Sequence, residues 1–152
     1  MAHVAVVGIG GLGHMALQFA KAWGCEVTAL TTDLSKADEA RGFGAHNVML
    51  LEELPALAGR FNLVINTVNQ PLEWSAVMGS LAPRGRLHQL GAVLQPIQVG
   101  AFDLISFRRS ITGSPTSSPG SLRKMMEFCV RHAIKPQVEH LPFDQVNQAI
   151  ER

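Results

Sequence analysis

The residues whose types and spacing could do chemistry are Gly8, Gly10 and Gly13, because the apolar run Val4-Ala5-Val6-Val7 leads into them and a helical pattern leads away. A diphosphate needs bare backbone beside it. In a strand, Gly-x-Gly-x-x-Gly, helix unit the first glycine permits the tight turn and the second leaves room for a pyrophosphate. The third lets the helix lie close to the sheet. The helix N-terminus then presents unpaired N–H groups and the positive end of its dipole to the phosphates. Gly8, Gly10, Gly11, Leu12 and Gly13 are therefore expected to form the phosphate loop of a dinucleotide site.

About 20 residues past such glycines, NAD sites place an acid at the tip of the second strand, where it takes the ribose hydroxyls. Here Glu26-Val27-Thr28-Ala29-Leu30 ends before Asp33, leaving Thr31 and Thr32 at the tip and Asp33 in the turn. An acid at the tip repels a 2′-phosphate, whereas two hydroxyls with Lys36 behind them can bond and neutralise one. The pattern points to NADP ahead of NAD. The alternative is that Thr31 and Thr32 are ordinary strand-end residues and Lys36 a solvated one.

Other chemistry finds little support. His3, His14, His46, His88, His132 and His140 form no His-x-x-x-His pair, and no Cys or carboxylate set completes a metal site. Cys25 and Cys129 are isolated, and no Gly-x-Ser-x-Gly elbow marks a nucleophile. No catalytic residue and no metal ligand is expected in this chain. His14 is expected to pack or to position its neighbours.

The elements that must position these residues alternate along the chain. Strands are expected at His3 to Val7, Glu26 to Leu30, Asn47 to Leu50, Leu63 to Asn66, Gly85 to Leu90 and Ser110 to Thr112. Between them lie helical patterns at Leu12 to Trp23, Lys36 to Phe43, Glu52 to Leu57, Leu72 to Leu81, Asp103 to Phe107 and Ser121 to His132, with a last one from Asp144 to Arg152. Asp33 or Ser35 can cap the second helix, Gly24 can end the first, and Pro71 suits a first helical turn. This is an α/β pattern: a doubly wound, six-stranded parallel sheet with helices on both faces, forming one dinucleotide-binding domain over residues 1–152.

Thirteen Lys and Arg against 12 Asp and Glu leave a net charge of +1 with no basic stripe, which argues against a nucleic-acid or anionic-membrane partner. No apolar run approaches the ~20 residues of a membrane span, and Met1-Ala2-His3 leads into a strand instead of a signal-peptide pattern. A soluble, cytoplasmic protein with a small-molecule partner is expected. Val93 to Gly100 is apolar and strand-like yet broken by Pro96, as edge strands often are, and is expected to expose Ile97 and Val99.

Gly8-Ile9-Gly10-Gly11-Leu12-Gly13-His14-Met15-Ala16, Ala20-Lys21-Ala22-Trp23-Gly24, Phe61 to Val68, Gly85 to Gly91 and Arg109 to Ser114 resemble the zinc-type medium-chain alcohol dehydrogenases. The branch they resemble most is the cinnamyl-alcohol-dehydrogenase-like, NADP-dependent aldehyde reductases. The resemblance implies a Rossmann coenzyme domain for reversible hydride transfer between alcohol and aldehyde. It implies cofactor contacts at Asn66, Thr67 and Val68, at Leu90, Gly91 and Ala92, and at Gly113 and Ser114. It implies a homodimer through Pro96 to Gly100. The family's zinc ligands and proton relay lie in a catalytic domain outside this stretch, so the isolated chain is expected to be inactive and its helical end to be cut short. A zinc-free quinone oxidoreductase of the same superfamily and a free-standing nucleotide-sensing module remain alternatives. Ser114-Pro115-Thr116-Ser117-Ser118-Pro119 departs from the glycine- and arginine-bearing turn common in relatives.

Overall fold

The computed structural model describes residues 1–151. Six strands, β1 His3–Val7, β2 Glu26–Thr31, β3 Asn47–Leu50, β4 Phe61–Asn66, β5 Leu81–Gln89 and β6 Ser110–Gly113, form one sheet in the order β3-β2-β1-β4-β5-β6. All five pairings are parallel. The order reverses between β1 and β4, and in open α/β sheets a ligand crevice opens at such a switch, beyond the carboxyl ends of the strands.

Parallel strands buried on both faces need apolar residues at every position, not alternate ones. β1 obeys this with Val4, Ala5, Val6 and Val7, each at most 3% exposed. Val4 and Val6 pack with Leu17 and Ala20 of helix α1, Gly11–Ala22, on one face. Ala5 and Val7 pack with Trp74, Val77 and Met78 of helix α3, Trp74–Ser80, on the other. Two cores therefore clamp the strand that carries the glycine turn.

Helix ends follow from local backbone chemistry. Gly24, at φ +76°, ends α1: its N–H reaches the Lys21 carbonyl, while that of Cys25 reaches Ala20. Helix α2, Ala37–Gly42, ends the same way at Gly44, with the Gly44 N–H on Arg41 and that of Ala45 on Ala40. Both are left-handed glycine caps that satisfy orphan carbonyls. Ala133 takes the same role after helix α5, Pro119–His132, at φ +54° without glycine's freedom.

Several boundaries differ from expectation. β2, β4 and β6 are longer, and β5 begins at Leu81 because it crosses an irregularity at Pro83 and Arg84, where the register against β4 shifts. Pro71 does not start a helix; α3 begins three residues later at Trp74. Leu34–Lys36 and Leu51–Leu57 are 3-10 turns, the first capped by Asp33, whose carboxylate accepts the Ser35 N–H at 2.8 Å. Helix α4 is Ala101–Ile105, and the last pattern splits into a 3-10 turn, Phe143–Gln145, and helix α6, Val146–Ile150. Its expected end at Arg152 lies outside the described residues.

Residues 91–100 form no strand. Val93, Ile97 and Val99 turn inward and pack against the core on the α3 face, so the expected exposure of Ile97 and Val99 is corrected. The most exposed apolar side chains of this region are Leu94, 92%, Phe102, 80%, and Ile105, 69%.

Candidate dinucleotide-binding site

Gly8 turns the chain out of β1 at φ +87°, a conformation side chains rarely adopt, and its N–H is held by the Leu30 carbonyl at 2.9 Å. Gly13 is the point of closest approach: a Cβ there would collide with the Gly8 carbonyl oxygen. A Cβ on Gly10 or Gly11 would meet nothing within 4 Å. The turn is thus closed against the protein at Gly8 and Gly13 and open toward the crevice at Gly10 and Gly11. A cavity of about 440 Å³ lies over it, bounded by the tips of β1, β2 and β4 and by Thr32, Asp33, Lys36 and Val68. That is the reversal point of the strand order. Open backbone at a helix N-terminus suits an anion.

A second cavity of about 600 Å³ adjoins it, sharing Thr31, Thr32 and Leu51. Its walls include Leu50, Leu54, Pro71, Leu72 and Ala76. Those residues were not expected from the sequence, where Pro71 and Leu72 read as helix and Leu50 as strand. They lie far apart in the chain and only the fold gathers them.

The second-strand tip is more finely divided than its sequence shows. The Thr31 hydroxyl donates to the Asp33 carbonyl at 3.1 Å and accepts the Asp33 N–H at 3.2 Å, so its proton is committed to the turn. Thr31 is 7% exposed. Thr32 and Lys36 are exposed and free to face a ligand. Asp33 turns its carboxylate onto Ser35, whose hydroxyl donates at 2.5 Å and whose N–H donates at 2.8 Å. The Ser35 side-chain bond, then its backbone bond, with the nearby Lys36 charge, hold the Asp33 carboxyl below the usual aspartate range.

Across the switch point, Thr67 donates its hydroxyl to the Val7 carbonyl at 2.7 Å, tying the β4 tip to β1. Asn66 does not reach the crevice. It is fully buried, with its side chain bonded to the Val68 N–H at 3.2 Å and to Gln89 at 3.0 Å. Asn66, expected among the cofactor contacts, thus has its side chain engaged within the protein. Thr67 and Val68 do line the glycine-turn cavity. Gly91 is packed so closely on the Val68 carbonyl that a Cβ would collide with it, while Leu90 and Ala92 are exposed beside it. Gly113 pairs with Gln89 at the β6 tip, and the Ser114 hydroxyl lies 3.1 Å from His88 Nε2. Neither lines a cavity with the glycine turn.

His14 is a bridge. Its Nε2 accepts the Gln137 N–H at 3.0 Å, so Nδ1 carries the proton and donates to the Gly10 carbonyl at 3.1 Å. One turn on, Gln18 bonds both the Lys135 carbonyl, 3.0 Å, and the Lys135 N–H, 3.2 Å. The segment after α5 is thereby fastened to the phosphate-loop helix.

Residues 11–131 match the model of the family described as zinc-binding dehydrogenase. The chain belongs to that family. This zinc-binding dehydrogenase chain is 47% identical over 152 residues to the aldehyde reductase AdhA of Synechocystis sp., covering 98% of this chain and 45% of that protein. It is 39% identical to the NADP-dependent alcohol dehydrogenase C 1 of Mycolicibacterium smegmatis, covering 98% of this chain and 44% of that one. A solved cinnamyl alcohol dehydrogenase, SbCAD4 of Sorghum bicolor, superposes with a TM-score of 0.93 at 33% identity, over 99% of this chain and 44% of the other. The zinc-binding dehydrogenase chain thus spans less than half the length of the relatives it matches. Among its described residues, no three His, Cys, Asp or Glu side chains gather where a metal ion could be held.

Proposed function

We propose that this domain binds NADP(H) and orients its nicotinamide for reversible hydride transfer between an alcohol and an aldehyde in a zinc-dependent oxidoreductase. The carrying observation is the open glycine turn at the sheet's switch point, whose cavity also holds Lys36 and Thr32. When bound, the dinucleotide supplies the hydride carrier. The chain's own residues hold it. The unpaired N–H groups around Gly10 to Leu12 take the pyrophosphate, and the apolar cavity beside Leu50, Leu51 and Leu72 suits an adenine ring. Lys36 with the Thr32 hydroxyl takes the 2′-phosphate. The Mycolicibacterium relative is an NADP-dependent alcohol dehydrogenase by name, which supports that preference.

Zinc finds no ligand set among the described residues, so in the longer enzyme its ligands are proposed to lie outside this domain. The isolated chain accordingly binds dinucleotide without turning over alcohols. A cytoplasmic location completes the proposal, and among the described residues no helix is long and apolar enough to cross a membrane.

Titration with NADPH and NADH tests the preference. NADPH should bind more tightly, with a margin that shrinks as salt rises, because each charge-assisted contact to the 2′-phosphate contributes about 1.5–3 kcal/mol. Thr32→Asp with Lys36→Ala should reverse the order. Equal affinities for the unmutated chain, or NADH ahead, would overturn the assignment of the strand tip.

A further inference from the structure

Behind the crevice, at the tips of β4 and β5, two side-chain amides are bonded to each other. Asn66 ends β4 and is wholly buried; Gln89 ends β5, opposite it in the register. Asn66 Nδ2 donates to Gln89 Oε1 at 3.0 Å, and Gln89 Nε2 donates to the Gly91 carbonyl at 2.6 Å. On the other side, Asn66 Oδ1 accepts the Val68 N–H at 3.2 Å. The Asn66 carbonyl meanwhile takes the N–H groups of both Leu90 and Gly91, at 2.9 and 3.0 Å. The two amides therefore run as a one-way chain from the β4 tip to the β5 tip.

The direction of that chain is fixed at both ends. Val68 N–H can only donate and the Gly91 carbonyl can only accept, so turning either amide over sets donor against donor or acceptor against acceptor. A buried polar atom left without a partner is costly, which holds both side chains in one orientation. Because Gly91 lies hard against the Val68 carbonyl, the backbone at the two tips is set by this pair as a unit.

Resting on the dinucleotide reading above, we infer that Asn66 and Gln89 are a positioning pair for the nicotinamide half of the cofactor. They touch no ligand. On that reading the adenosine half goes to the apolar cavity and Lys36 beside β2 and β3, and the pyrophosphate to the β1 turn. The remaining half must then continue over β4 and β5, across the backbone of Val68 and Gly91. Holding a reacting group within a fraction of an ångström is a matter of the residues behind those that touch it.

Two ligands separate this from a general structural role. 2′,5′-ADP occupies only the adenosine end, whereas NADPH spans both. Gln89→Leu removes the donor to Gly91, and Gln89→Glu keeps the shape while placing an oxygen against the Gly91 carbonyl. Each variant should weaken NADPH by about tenfold, because the freed Gly91 backbone must be ordered anew when the nicotinamide half binds, and leave 2′,5′-ADP affinity unchanged. Asn66→Asp should act alike, since it still accepts from Val68 but forces Gln89 to turn its NH₂ away from Gly91. Unchanged NADPH affinity in the two Gln89 variants, or equal losses for both ligands, would overturn the positioning role. Failure of the unmutated chain to bind either ligand would instead overturn the dinucleotide reading, and this proposal with it.

Discussion

At Asp33 the carboxylate accepts two bonds from Ser35 and so faces its own turn, although it stands about where NAD sites carry a ribose-binding acid. This consequence can be measured through pH. A carboxyl whose folded value lies below its unfolded value near 3.8 stabilises the fold fully above that unfolded value, and loses the contribution as pH falls through the lowered folded value. Asp33→Asn should therefore lower stability at pH 7, and the gap to the unmutated chain should close in acid, below about pH 4. Denaturant unfolding across that range checks it; a gap independent of pH would mean that the charge is not what caps the turn. The role of Asp33 was legible in the sequence because the strand visibly ends before it. The commitment of the Thr31 hydroxyl to that turn was not. Hydroxyl side chains close local turns or face ligands with equal ease, and only the distances to Asp33 decide between them.

At the scale of elements, the β1 strand, the glycine turn and α1 were readable because each carries a signal of its own: four adjacent apolar residues, glycines at fixed spacing, and a glycine cap at Gly24. The six strands were legible in number and order of appearance, since buried parallel strands are short continuous apolar runs. Boundaries failed where tertiary pairing overrides local pattern. β5 runs back to Leu81 through Pro83 and Arg84 because its start pairs with Phe61 across a register shift, and no local residue announces that. Residues 91–100 misled for the opposite reason: alternating Ile97 and Val99 read as an edge strand, yet both pack inward as irregular chain. The Asn66 and Gln89 pair was invisible, because it joins residues 23 apart whose types are common on any surface. His14 was legible as a positioning residue, although its partner at Gln137 was not.

At the scale of the whole molecule, the sheet ends at β3 on one side and at β6 on the other, and beyond β5 the chain exposes Leu94, Phe102 and Ile105. We propose that a second copy of the chain covers these three side chains across a two-fold axis, because exposed large apolar side chains mark interaction surfaces and a two-fold pairing closes on itself. Sedimentation at micromolar concentration should show a dimer, and Phe102→Asp should shift it to monomer while dinucleotide binding persists; a unmutated chain that stays monomeric would refute the interface. The central claim concerns the crevice at the reversal of strand order, and backbone amide resonances report on it without any assay of turnover. On adding NADPH to the unmutated chain, the largest shifts should fall at Gly10, Gly11, Leu12 and Gly13, with further shifts at Thr32, Lys36, Val68 and Gly91, and Gly10→Val should abolish them all. Shifts confined to other faces of the sheet, or none at saturating NADPH, would contradict the account.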